Sequence, residues 1–228
     1  DAGSGAEALY MKAPGSSYYS NVGTSTTVSS TATNGLYYFY AKDKAGNTSS
    51  TYYLYLDTSK PTGTIKNSSG TAISGYTNGA FSYTATDTGS GVSYLQYKKP
   101  GSSSWLSYTS GTTISSTATN GQYQFRAVDK AGNVSDTQTI YLDSAAPTGT
   151  IKNSSGTAVT TTTNKAFKYT ASDGLSGIAY MQYKKPNSTV WETYAAGTLI
   201  QTTDTNGIYR FRAFDNAGNE SETVMICL

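Results

Sequence analysis

Hydrophobic and polar positions alternate with a period of two over much of the chain. Between Asn120 and Asn133, Tyr123, Phe125 and Ala127 interleave with Gln122, Gln124 and Arg126. That alternation places the two sets on opposite faces of a β-strand. Asn120-Gly121 ahead of the strand supplies one turn, and Asp129 to Asn133 behind it supplies another. The same unit is written at 34–47 and at 206–219, so that Asp43, Asp129 and Asp215 stand 86 residues apart. A solenoid repeats every ~20–50 residues, whereas this period matches a small complete β domain.

Within 61–146 the pattern predicts seven short strands. They cover Pro61–Ile65, Phe81–Thr86, Val92–Lys98, Trp105–Tyr108, Thr113–Ser116, the stretch after Asn120, and Thr139–Leu142. Short strands separated by turn signals predict an antiparallel immunoglobulin-like β-sandwich. Its expected core is Phe81, Tyr83, Ala85, Leu95, Tyr97, Trp105, Tyr123, Phe125, Ala127, Ile140 and Leu142, with counterparts one period on. Residues 147–228 repeat the order. Residues 1–60 align Asp1 to Gly5 with Asp87 to Gly91, so they read as an incomplete repeat without the first two strands. The expected organisation is an all-β tandem array: an incomplete repeat over 1–60, then domains at 61–146 and 147–228. Gly-x-Tyr at the start of the repeated strand marks Tyr37, Tyr123 and Tyr209 as tyrosine-corner residues, whose hydroxyls bond back to upstream backbone.

Composition narrows the function. The 228 residues carry a net charge of +2, no His and one Cys, and charged residues are only 13%. That balance is too weak to attract nucleic acid or an anionic membrane. No apolar run is long enough to span or insert into a bilayer. Without His, no Ser-His or Cys-His pair can be built. Asp87 and Asp129 can approach one another at an end of the sandwich, but turn formation explains both better than glycosidase chemistry. The expectation is a non-enzyme without a resident cofactor.

The run Ala85 to Val92, then Trp105, then Gly121 to Asn133, resembles bacterial immunoglobulin-like repeats. These are similar to fibronectin type III and hyalin repeats. Leu142-Asp143-Ser144-Ala145-Ala146-Pro147-Thr148 looks like the Asp-x-x-x-Pro-Thr joint between them. The resemblance implies a segment of a secreted or cell-surface protein, acting as a spacer, stalk or adhesive module, and leaves the activity open.

Three sites follow. Asp129 and Asn133 offer hard oxygens to calcium, and Asp57 and Asp143 lie at joints that an ion can stiffen. Turn formation competes with this, and the six to eight oxygens calcium takes are not assembled by the sequence. Among 21 tyrosines, Tyr38, Tyr40, Tyr53 and Tyr55 alternate to the outer face. With Trp105 and Trp191 they are the candidates for stacking on a glycan or seating a protein partner. Finally, residues 1–60 offer open strand edges for self-association, by strand complementation in a fibre. Spacer, binding module and self-assembling subunit all remain open at this point.

Overall fold

The computed structural model describes residues 3–228, and within them every regular element is a strand. The first unit holds β1 (Ala6–Lys12), β2 (Ser20–Asn21), β3 (Gly35–Asp43) and β4 (Tyr52–Leu56), in one sheet ordered β2-β1-β3-β4. The second holds β5 (Thr62–Asn67), β6 (Gly75–Thr77), β7 (Phe81–Thr86), β8 (Val92–Lys98), β9 (Leu106–Tyr108), β10 (Gly121–Asp129) and β11 (Gln138–Leu142). The third repeats these as β12 (Thr148–Asn153), β13 (Thr161–Thr162), β14 (Phe167–Ser172), β15 (Ile178–Lys184), β16 (Glu192–Tyr194), β17 (Ile208–Asp215) and β18 (Val224–Cys227). The proposed equivalence of Asp1 and Ala2 with Asp87 and Thr88 lies outside the described residues.

Each complete unit is a two-layer, seven-stranded sandwich. In the second, β5 and β7 form one sheet and β6-β11-β10-β8-β9 the other. Register follows from the alternation: Ile65 opposes Tyr83, and Phe125 opposes Tyr97. Inward side chains of both sheets then meet in one core of Ile65, Phe81, Tyr83, Leu95, Tyr108, Tyr123, Phe125, Ala127, Ile140 and Leu142. Fully burying a large apolar side chain contributes about 1.5–3 kcal/mol, and Phe81 and Phe125 also meet edge to face at 6.2 Å. The third unit builds the equivalent core around Phe167, Tyr169 and Phe211.

The polar ends of the core tyrosines are largely accounted for. Tyr108 Oη accepts the Tyr83 N–H at 3.0 Å and donates to the Thr112 carbonyl; Tyr194 does the same for Tyr169 and Thr198. Gly63 and Gly149 are glycines for a packing reason, because a Cβ there would run into the Tyr83 or Tyr169 hydroxyl. Tyr37, Tyr123 and Tyr209 donate to the carbonyls of Thr33, Thr119 and Thr205 at 2.8, 3.0 and 2.9 Å.

Three details depart from the expected strands. Thr113–Ser116 is reduced to a single bridge, Ile114 to Phe81. The seventh strand is instead β6, whose pairing with β11 is parallel, so the sandwich is not wholly antiparallel. Trp105 is not in the core: it precedes β9, and Tyr108, three residues on, fills the inward position. Residues three apart on a strand face opposite ways.

Candidate functional site at the joints between units

Each joint is built by an aspartate that ends one unit and is held by the next. Asp57 follows β4. Its Oδ1 accepts the Ser59 N–H at 3.0 Å, which turns the linker, and its Oδ2 accepts the Ser90 N–H at 2.6 Å from the loop between β7 and β8. Its carbonyl accepts the Asn133 side-chain amide at 2.9 Å, and the same amide reaches Asp129 Oδ2 at 2.8 Å. Asp143 repeats the arrangement with Ala145, Ser176, Asn219 and Asp215.

A third aspartate completes each group. Asp87 Oδ2 accepts the Gly89 and Gly91 N–H groups, and Asp173 Oδ2 accepts those of Leu175 and Gly177. One carboxylate oxygen from each of Asp57, Asp87 and Asp129 lies within 4.8 Å of the others, and Asp143, Asp173 and Asp215 form the same triangle. Asp143 is 0% exposed and Asp129 and Asp215 2%. Three carboxylates this close repel strongly once removed from water. None of the six is in an ion pair with Lys or Arg among the described residues. Local donors supply part of the compensation. The Ser90 hydroxyl and amide hold the Asp57 carboxyl below its ordinary value. At Asp173 burial pushes upward, but the backbone N–H groups of Leu175, Gly177, Ser176 and Gly174 together outweigh it. Two oxygens at the joints receive nothing: Asp87 Oδ1 and Ser176 Oγ are buried without a hydrogen-bond partner, as is Tyr83 Oη in the core of the second unit.

The residues singled out for calcium are thus divided between two groups. Asp129 joins Asp57 and Asp87, and Asp143 joins Asp173 and Asp215. Asn133 contributes its amide as a donor within the first. Spacing alone did not assemble these sets, because the members of each come from a linker and two separate loops of the next unit.

The outer faces differ between units. Trp105 is half-buried, with the Arg126 guanidinium 4.2 Å and the Lys98 amine 4.8 Å from its ring; Trp191 sits likewise between Arg212 and Lys184. Cations therefore occupy ring faces that a sugar needs for stacking. In the first unit Tyr19 and Tyr40 stand where Trp105 and Arg126 do, while Lys12 keeps the place of Lys98, its amine 5.5 Å from the Tyr19 ring and 4.5 Å from the Tyr38 ring. Tyr10 stacks on Tyr40 at 4.9 Å, Tyr19 meets Tyr40 edge-on, and Tyr38 opposes Tyr53 across the β3–β4 pair. Tyr53 and Tyr55 are exposed.

No family model matches the chain, and no curated protein matches it. Among solved structures, the fibronectin(III)-like modules of Clostridium thermocellum CbhA align at 17% identity, covering 72% of this chain and 92% of that one, with a TM-score of 0.36. The FN1–FN3 domains of chicken CNTN1 align at 13% identity over 97% of this chain and 88% of that one, with a TM-score of 0.31. Bacteroides ovatus SGBP-B, solved with a mixed-linkage heptasaccharide, gives 11% identity, 97% and 60% coverage, and a TM-score of 0.20. At such scores the architecture rests on the sheets and cores themselves. No described helix is long and apolar enough to cross a membrane.

Proposed function

We propose that this chain is a non-catalytic spacer segment of an extracellular or cell-surface protein, a stalk of tandem sandwiches held in line by docked joints. One observation carries the reading: Asp57 and Asp143, the last residues before the Pro-containing linkers, are 6% and 0% exposed and bond to the loops of the following unit. A flexible tether has no reason to bury its junction. The exposed Lys60–Asp136 ion pair at 3.0 Å adds little, about 0–1 kcal/mol.

Small-angle X-ray scattering of residues 1–228 tests this. A single extended form is expected, and Asp143→Ala should broaden the distance distribution. A wild-type chain already scattering as a flexible ensemble would sink the spacer reading.

A second reading, a glycan- or protein-binding face, is favoured by the tyrosine cluster of the first unit, since Tyr10, Tyr19, Tyr38, Tyr40, Tyr53 and Tyr55 lie on three neighbouring strands or beside them. Glycan-array binding that is lost in Tyr38→Ser/Tyr53→Ser would support it, and an array with no signal would count against the glycan form.

A further inference from the structure

We propose that each joint binds one divalent cation of the calcium class between its three aspartates, coupling the end of one unit to two loops of the next. The inference deepens the spacer reading, and its mechanical consequence rests on that reading. The donors are all hard oxygens, which suits Ca²⁺, Mg²⁺ or Mn²⁺ and disfavours softer metals. Calcium is the better fit, because it accepts several carboxylates in irregular geometry and completes six to eight ligands with carbonyls or water.

Close acidic residues alone do not make a site. What points to a ligand is the pair of oxygens with no donor. Asp87 Oδ1 belongs to a carboxylate whose other oxygen takes two backbone N–H groups, yet this oxygen is buried and receives none. Ser176 is 6% exposed, its amide is spent on Asp143 Oδ2, and its hydroxyl has no partner. In the other joint the equivalent Ser90 hydroxyl accepts the Ala131 N–H. At the second joint that backbone N–H has another acceptor, because Ala217 donates to Asp215 Oδ1. Leaving a buried polar oxygen unsatisfied costs free energy comparable to a lost hydrogen bond, and a cation would satisfy both it and the surrounding negative charge. The arrangement is written twice, with the same burial at each position.

The test is calorimetric titration of the whole chain, freed of metal by chelation, with calcium chloride up to about 10 mM, a range that covers weak extracellular calcium sites. Two ions per chain are expected, with a melting temperature raised by about 5 °C or more. Asp173→Asn should leave one ion per chain, and Asp87→Asn/Asp173→Asn none. Asparagine keeps an acceptor for the turn's N–H groups, so each variant should still melt cooperatively. Ser176→Ala should weaken only one of the two sites, which guards against misfolding of the aspartate variants. No calcium heat and no melting shift would overturn the proposal, as would two ions still bound by the double variant. X-ray scattering with and without calcium separates the two readings. An extended chain that ignores calcium keeps the spacer and discards the ion; a chain that binds two ions yet stays flexible keeps the ion and discards the spacer.

Discussion

The first unit and the second sandwich carry the same strand pattern and bury it differently. β3 and β10 are each nine residues long, with Tyr37, Phe39 and Ala41 in one where the other has Tyr123, Phe125 and Ala127. Phe125 is 0% exposed because β5 and β7 lie across it, whereas Phe39 is only half-buried. On the neighbouring strands, Ile140 is 0% exposed and its counterpart Leu54 is 55%. Alternation therefore writes a face, and only a second layer makes that face a core. The corner tyrosine is buried in both settings, Tyr37 and Tyr123 at 3% exposed each, and in both its hydroxyl ties it to its own turn, at Thr33 or Thr119.

The largest expected effect breaks the comparison at this position. Phe125→Ala empties a packed site and should cost about 3–5 kcal/mol. Phe39→Ala removes a ring already partly in water and should cost less than about 1 kcal/mol. Urea unfolding followed by hydrogen exchange resolved by segment would read the units separately. Equal losses would mean the inner face of the first unit is covered in solution. Light scattering over a concentration series would then show whether a second copy covers it, which would move self-assembly ahead of the spacer reading.

A smaller difference is expected at the turn asparagines. Among the described residues Asn47 bonds within its turn, to Asp43, while Asn133 bridges Asp129 and the carbonyl of Asp57 across the joint. Asn133→Ala should cost about 1–2 kcal/mol by leaving that buried carbonyl without a donor. Asn47→Ala, at an exposed turn, should cost about 0.5 kcal/mol or less. Thermal melts of the two variants check this, and an Asn133 variant as stable as wild type would argue against a locked joint.

Alkaline pH should separate the regions by spectrum. Burial pushes the phenols of Tyr83, Tyr108, Tyr123, Tyr169, Tyr194 and Tyr209 above the ordinary value of 10.0, and all six belong to the complete sandwiches. The folded state holds these protons more tightly than the unfolded chain does. Their contribution is therefore intact below about pH 10 and is lost as pH rises through the folded values. Phenolate absorbance should show a second, late step that coincides with unfolding. A single step complete while the protein remains folded would contradict the packed cores.

Much of this was legible in the chain, and the failures share a cause. The repeat, the alternating strands and the tyrosine turns are local signals, and Phe81, Tyr83 and Phe125 lie where the period of two puts them. Trp105 was drawn inward by its size, although Tyr108 at odd spacing already claimed the core face of the same short strand. β6 was hidden because Gly75, at φ +77°, interrupts any apolar pattern before its three residues pair with β11. The aspartate triangles could not be read from spacing, since Asp57 and Asp129 are brought together only when one unit docks on the next. Asp87 and Asp129, by contrast, both flank the same end of one sandwich.

The outer faces provide the smallest expected effect. In the second unit Arg126 donates to Gln96 at 2.9 Å and its guanidinium covers Trp105. The first unit places Tyr40 and Tyr10 at those two positions, stacked with an interplanar angle of 5°. Either pair is a cross-strand contact worth about 0.2–1 kcal/mol, so exchanging one kind for the other should leave the sheet intact. Tyr10→Gln/Tyr40→Arg is therefore expected to change stability by less than about 1 kcal/mol, measured by urea unfolding. A much larger loss would mean that the tyrosines hold the single-layer sheet together and are retained for structure. With stability unchanged, the tyrosines are left without a structural reason at these two positions, and binding becomes the explanation for aromatics where the next unit uses Gln and Arg.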